Sequence, residues 1–166
     1  KIGFNEDSGG IAASGGTLSN LNALVTAKYS SGLTFNNEAV MITSEDAHVS
    51  IKKSAKILGV EDKNIYIVHT DKNGCMHIPT FIKLLNSLIE SGRKIFAVVA
   101  TFGTTIQGAL DPINEIGNIC KENKIWFHID ASIGGVFLLA NNKFDKITNF
   151  NVCNANSITI NPQKLL

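Results

Sequence analysis

Five short apolar runs rich in β-branched and aromatic residues, at 39–43, 64–69, 94–101, 125–130 and 157–160, punctuate this chain. Between them lie segments whose apolar residues recur at helical spacing, at 17–29, 48–58, 79–90 and 112–122. This alternation is the tightest constraint on the fold. A strand, a helix and a second strand supply the length that a crossover needs for parallel pairing. The pattern therefore predicts an α/β structure, a mostly parallel sheet flanked by helices. In the first helix Leu18, Leu21, Leu24 and Val25 follow one another at intervals that put them on one face, expected to pack against the sheet. Gly32, Gly59, Gly74 and Gly92 stand where helices should end or turns form, and Pro79 and Pro112 where a first helical turn tolerates proline.

With 166 residues, 44% of them hydrophobic, the chain has material for one domain with a real core. Fifteen basic residues against 14 acidic ones, scattered along the sequence, leave no electrostatic footprint for nucleic acid or an acidic membrane surface, so a small-molecule partner is expected. Cys75, Cys120 and Cys153 are odd in number, far apart and in no metal-ligand spacing. They read as reduced thiols of a cytoplasmic protein with no metal site. The first residues lack the apolar core of a signal peptide, and the apolar stretches at 95–100 and 133–140 are too short to span a bilayer. Because the chain begins without Met and stops at Leu166, just after Lys164, it is expected to be a piece of a longer protein.

Ligands of an open parallel sheet bind beyond the carboxyl ends of its strands, and the residues at 101–105, 130–132 and 161–164 all follow predicted strands. The turn Ser14-Gly15-Gly16-Thr17 precedes the first helix, where small residues and free N–H groups suit either a phosphate or a plain helix cap. His48 opens the second helix and fits a cap or a ring that stacks on a flat ligand. Asp130 closes an apolar strand, so its carboxylate needs a partner: a cap, an ion pair, or a cationic N–H of a ligand. In Thr101-Phe102-Gly103-Thr104-Thr105, a loop or a ligand contact, Thr105 offers a hydroxyl to a cofactor or to Asp130. Lys164, in Asn161-Pro162-Gln163-Lys164, is a surface lysine unless it acts with the others. An amine and a carboxylate at the ends of two strands can hold pyridoxal 5'-phosphate, the lysine as a Schiff base and the acid at the pyridinium nitrogen.

Five segments in this order carry a family resemblance: Ser14-Gly15-Gly16-Thr17-Leu18-Ser19-Asn20-Leu21; Asp46-Ala47-His48-Val49-Ser50-Ile51-Lys52-Lys53-Ser54; Ala100-Thr101-Phe102-Gly103-Thr104-Thr105 with Gly108 and Asp111; His128-Ile129-Asp130-Ala131-Ser132 with Gly134-Gly135; and Asn161-Pro162-Gln163-Lys164. The chain resembles the pyridoxal-phosphate-dependent group II amino-acid decarboxylases. The resemblance implies a large domain of the aspartate-aminotransferase type, incomplete here, without its N-terminal segment and small C-terminal domain. It implies a cytoplasmic homodimer that decarboxylates an L-amino acid to an amine and carbon dioxide. By position, Gly16 and Thr17 would bind the phosphate, His48 would stack on the ring, and Asp130 would pair with its nitrogen. Thr105, Ser132 and Asn161 would line the pocket, and Lys164 would carry the Schiff base, making Lys164, Asp130 and His48 the catalytic set. One departure is Gln163, where the family usually has His. Alternatives at this stage are a carbon–carbon lyase or aminotransferase on the same cofactor, or a non-catalytic fragment or degenerate binding module.

Overall fold

The computed structural model describes residues 3–139 and 152–164. The apolar runs form strands Val40–Ser44 (β1), Ile65–Val68 (β2), Ile95–Thr101 (β3), Trp126–Ala131 (β4) and Ser157–Ile160 (β5). Between them lie helices Gly16–Ser30 (α1), Val49–Ile57 (α2), Ile78–Glu90 (α3) and Ile113–Glu122 (α4). No boundary departs from the sequence expectation by more than one residue. The five strands form one sheet in the order β2-β1-β3-β4-β5, every neighbouring pair parallel. Burial along β1, β3 and β4 is almost continuous, as expected where helices cover both faces of a parallel sheet.

Two apolar layers result from the period-two alternation of the strands. On one face Val40, Ile42, Val98, Ala100, Phe127 and Ile129 meet Phe81, Leu85 and Leu88 of α3 and Ile113, Ile116 and Cys120 of α4. On the other, Met41, Ala97 and Val99 meet Leu24 and Ala27 of α1 and Ile51 and Ala55 of α2. Each large side chain fully buried here, such as Phe81 or Phe127, contributes about 1.5–3 kcal/mol. Glycine ends the helices as expected: Gly59, at φ 77°, lets the Val60 N–H return to the Ala55 carbonyl at 3.0 Å. Pro112 is the N-cap of α4 and so precedes its first turn. The thiols of Cys75 and Cys120 are free, and the side chain of Cys153 lies outside the described residues. Among the described residues no helix is long and apolar enough to cross a membrane.

The expected face of α1 is corrected. Leu18 and Val25 are 41% and 43% exposed, and the buried side of the helix carries Asn20, Leu24, Ala27 and Lys28. Polar groups turn inward because each has a partner there. Lys28 Nζ donates to the Leu58 carbonyl at 2.8 Å, satisfying the end of α2, and burial lowers the lysine pKa. Asn20 reaches the sheet, as described below.

Two acids hold the loops at the carboxyl edge. Thr70 N–H donates to Glu45 at 2.5 Å, with Thr70 Oγ1 and His69 Nδ1 close by, and these contacts hold the Glu45 carboxyl down at about 2. The turn leading from β1 to His48 is thereby tied to the end of β2. Asp111 is 3% exposed and accepts from Met76 N–H at 2.6 Å and Thr101 N–H at 2.7 Å, closing the 102–110 loop. Burial nevertheless pushes its carboxyl up to about 6. A raised acid pKa means that the native state holds the proton more tightly than the unfolded chain. The proton-linked contribution of Asp111 to stability therefore increases as pH falls from about 6 to 3.8 and is absent above that window. In denaturant titrations, the stability of the wild type relative to Asp111→Asn is expected to grow by about 3 kcal/mol across it; a pH-independent difference contradicts the assignment.

Candidate active site

At the carboxyl edge of the sheet, residues of α1, α2 and the segments that follow β1, β4 and β5 meet around a cleft of about 530 Å³. The N-terminal end of α1 contributes Gly16 and Thr17, the turn after β1 contributes His48, and α2 contributes Lys53 and Ser54. Ser132 follows β4, and Asn161, Gln163 and Lys164 follow β5, Lys164 closing the short helical turn Pro162–Lys164. Among the described residues the lining holds two lysines, Lys53 and Lys164, and no acidic side chain. The first turn of α1 opens here with no side-chain cap, leaving its N–H groups toward the cleft end of the helix.

Gly16 is required by packing. A Cβ on it would lie 2.7 Å from Ser132 Oγ and 3.8 Å from Asn161 Nδ2, so glycine lets α1 approach β4 and β5 this closely without turning the Ser132 hydroxyl away from Asp130. Gly134 stands behind the site, where a Cβ would collide with the Phe102 carbonyl oxygen.

Asp130, 3% exposed, is held by two cleft-lining residues. Its Oδ1 accepts from Ser132 Oγ at 2.6 Å and Ser132 N–H at 3.1 Å, and its Oδ2 accepts from Asn20 Nδ2 at 2.9 Å. Three donors compensate the desolvation that burying a carboxylate incurs. Asn20 also contacts Ser50 Oγ at 3.2 Å and His128 Nε2 at 3.1 Å. His128 in turn lies 2.9 Å from Ser157 Oγ through Nδ1. His128 is fully buried, and burial drives its pKa well below the usual histidine range, against the opposing pull of Asp130. His48 is both cap and lining residue: its Nδ1 accepts from Ser50 N–H at 3.2 Å at the start of α2, and the ring faces the cleft.

Thus Gly16, Thr17, His48, Ser132, Asn161 and Lys164 are brought to one cleft, and Asp130 is bonded directly to it. Thr105 is not. It stands exposed on the loop after β3, because the buried hydroxyls of that loop are those of Thr101 and Thr104. Thr104 Oγ1 accepts from Ala109 N–H at 3.0 Å to brace the turn. Thr101 pairs in register with Asp130, and its hydroxyl has no partner among the described residues. Asp130 is bonded to Asn20 and Ser132, and Thr105 does not steady it. Sequence reasoning also missed Asn20, Ser50 and His128. Spacing could have found two of them, since Asn20 lies one helical turn after Gly16 and His128 two residues before Asp130 on the same side of a strand.

The contact at Gly16 makes a quantitative expectation. Gly16→Ala should destabilise by about 1–3 kcal/mol because Ser132 Oγ must leave Asp130. With Ser132→Ala in place the nearest neighbour becomes the Cβ of residue 132 at 3.4 Å, so the penalty should shrink and the double-mutant cycle show coupling of about 1 kcal/mol. Gly9→Ala, with nothing within 4 Å, is the neutral control in the same denaturant titrations.

Comparison with known proteins identifies the family and the fold. The model of the pyridoxal-dependent decarboxylase conserved domain matches residues 2–166. The chain is 38% identical over 172 aligned residues to the acidic amino acid decarboxylase GADL1 of Xenopus tropicalis, covering 99% of this chain and 33% of that protein. The human GADL1 is 36% identical over the same length, with 99% and 32% covered. Among solved structures, mouse CSAD superposes with a TM-score of 0.90 at 31% identity, over 99% of this chain and 35% of that one. The chain thus spans about a third of the length of the curated relatives it matches. A match running from the second residue to the last, on a sheet of the same topology class, makes this chain a member of the pyridoxal-dependent decarboxylase family.

Proposed function

We propose that the complete protein is a pyridoxal 5'-phosphate-dependent carboxy-lyase that converts an L-amino acid to an amine and carbon dioxide, and that this stretch holds the cofactor. The observation that carries the reading is the buried Asp130 carboxylate, hydrogen-bonded only to neutral groups among the described residues and joined through Asn20 and Ser132 to a cleft that contains Lys164. The residues fit the group: a glycine-made cradle beside the open end of a helix suits a phosphate, and a lysine without an acidic neighbour in the lining suits an aldehyde.

Each residue then has a task. Gly16 and Thr17 receive the phosphate on backbone N–H groups and the Thr17 hydroxyl, and Ser132 and Asn161 close the same end. The His48 ring packs against the pyridine ring, its orientation held by the Ser50 N–H. Asp130 keeps a proton on the ring nitrogen through a charge-assisted hydrogen bond. Lys164 would hold the aldehyde carbon through its amine as an imine, the aldehyde oxygen leaving as water. When bound, the cofactor supplies an electron sink for the pair released as the bond from Cα to the carboxylate breaks. An acidic amino acid is the substrate class we favour, since the GADL1 relatives are named for it and Lys53 adds a second cation to a cleft without acids. The cellular setting on this reading is a cytoplasmic homodimer with the free thiols Cys75 and Cys120 kept reduced.

In the complete protein loaded with pyridoxal 5'-phosphate, borohydride reduction and peptide mapping should place the adduct on Lys164. Lys164→Ala should abolish it, and an adduct retained at the same site in that variant overturns the assignment. Asp130→Asn should lower the rate of carbon dioxide release about a hundredfold or more. Product analysis separates the alternatives: an amine and carbon dioxide support decarboxylation, and a keto acid or aldehyde replaces it with another reaction on the same cofactor.

A further inference from the structure

The polar chain behind the cleft has its hydrogens fixed from the Asp130 end. A carboxylate only accepts, so the Asn20 amide must turn its Nδ2 toward Asp130 and Ser50, which leaves Asn20 Oδ1 facing His128 Nε2. Nε2 must therefore carry a hydrogen. Burial keeps the imidazole neutral, so Nδ1 is bare and accepts from the Ser157 hydroxyl. From the far end, the Trp126 indole N–H can only donate, and it does so to Ser157 Oγ at 2.9 Å, which frees the Ser157 proton for His128. The direction is imposed from the Asp130 end, and the Trp126 donor at the far end is compatible with it. A branch follows it too: Ser50 Oγ receives an Asn20 hydrogen, and its own hydroxyl points to His48 Nδ1 at 2.8 Å, placing the His48 hydrogen on Nε2.

We propose that Asn20 and His128 are positioning residues, wired as one directed hydrogen-bond chain, that hold Asp130 and His48 in place while leaving the Asp130 charge unneutralised. The tasks of Asp130 and His48 rest on the cofactor reading above; the direction of the chain does not. Among the described residues every donor to Asp130 is neutral: one amide N–H, one hydroxyl and one backbone N–H. An imidazolium at His128 would compensate the carboxylate from within the protein. The Nε2–H tautomer, separated from Asp130 by the Asn20 amide, supplies orientation without a counter-charge, so the carboxylate stays available to a cation entering from the cleft. His128 also prevents the amide of Asn20 from reversing, since a reversed Asn20 would set its oxygen against the carboxylate and its NH₂ against an N–H.

Two measurements on the complete protein test this. Neutron diffraction should find hydrogen on His128 Nε2 and none on Nδ1; hydrogen on Nδ1, or on both nitrogens, overturns the wiring whatever the cofactor does. In titrations of the cofactor-free protein with pyridoxal 5'-phosphate, followed by absorbance, His128→Leu and Asn20→Ala should each weaken binding about tenfold or more. His128→Gln, which returns an N–H to Asn20, should recover to within about threefold of wild type. Wild-type affinity in both His128→Leu and Asn20→Ala overturns the positioning role, and so does failure of the glutamine to rescue. Asp130→Asn in the same titration separates the two readings. If it binds as wild type, the cofactor reading of Asp130 falls and the positioning role with it; if it alone weakens binding, only the positioning role falls.

Discussion

A carboxylate buried at the end of an inner strand governs the arrangement around it. Without donors, burying the charge of Asp130 would be unfavourable by several kcal/mol, comparable with the net stability of a domain this size. The donors come from Ser132, two residues on, and from Asn20, 110 residues earlier in the chain. The second of these ties α1 to β4 across the sheet face, and that tie determines which side of α1 is buried. Gly16 has to be small because the same docking brings the start of the helix onto Ser132.

Hydrogen bonding and apolar packing divide the labour between the two faces. The layer of α3 and α4 is almost wholly apolar, with Phe81, Phe127 and Ile129 at its centre. The layer of α1 and α2 mixes Leu24, Ile51 and Met41 with Asn20, Lys28, Ser50 and Ser54, all buried. Buried polar side chains are stabilised by their partners, and here Asn20 and Ser50 belong to one connected set with Asp130 and His128 beside the cleft, while Lys28 caps the end of α2. The result is a face whose geometry is directional, suited to hold a ligand in one pose, backed by a face whose packing supplies the stability.

Much of this was legible in the amino-acid order. Strand and helix boundaries followed from periodicity because β-branched runs and helical spacing act locally, with glycines such as Gly59 marking the ends. The carboxyl ends of strands then located His48, Asp130, Ser132, Asn161 and Lys164 along one edge, and the resemblance joined them. Thr105 went astray because a loop of several hydroxyls offers no local signal for which one turns inward; the bonds of Asp111 and Thr104 decide that. Leu18 and Val25 went astray because apolar spacing weighs only hydrophobic residues, and the buried side of α1 is partly selected by amide and amine groups.

The sequence by itself determined the α/β class, the elements and the row of polar residues at the strand ends, because these depend on propensities and periods spanning a few residues. Only the tertiary structure decided that Asn20 is the junction of the site, that His128 stands behind Asp130, and that Gly16 must lack a side chain. Those outcomes arise from contacts between residues a hundred or more positions apart, and no local rule weighs one distant partner against another.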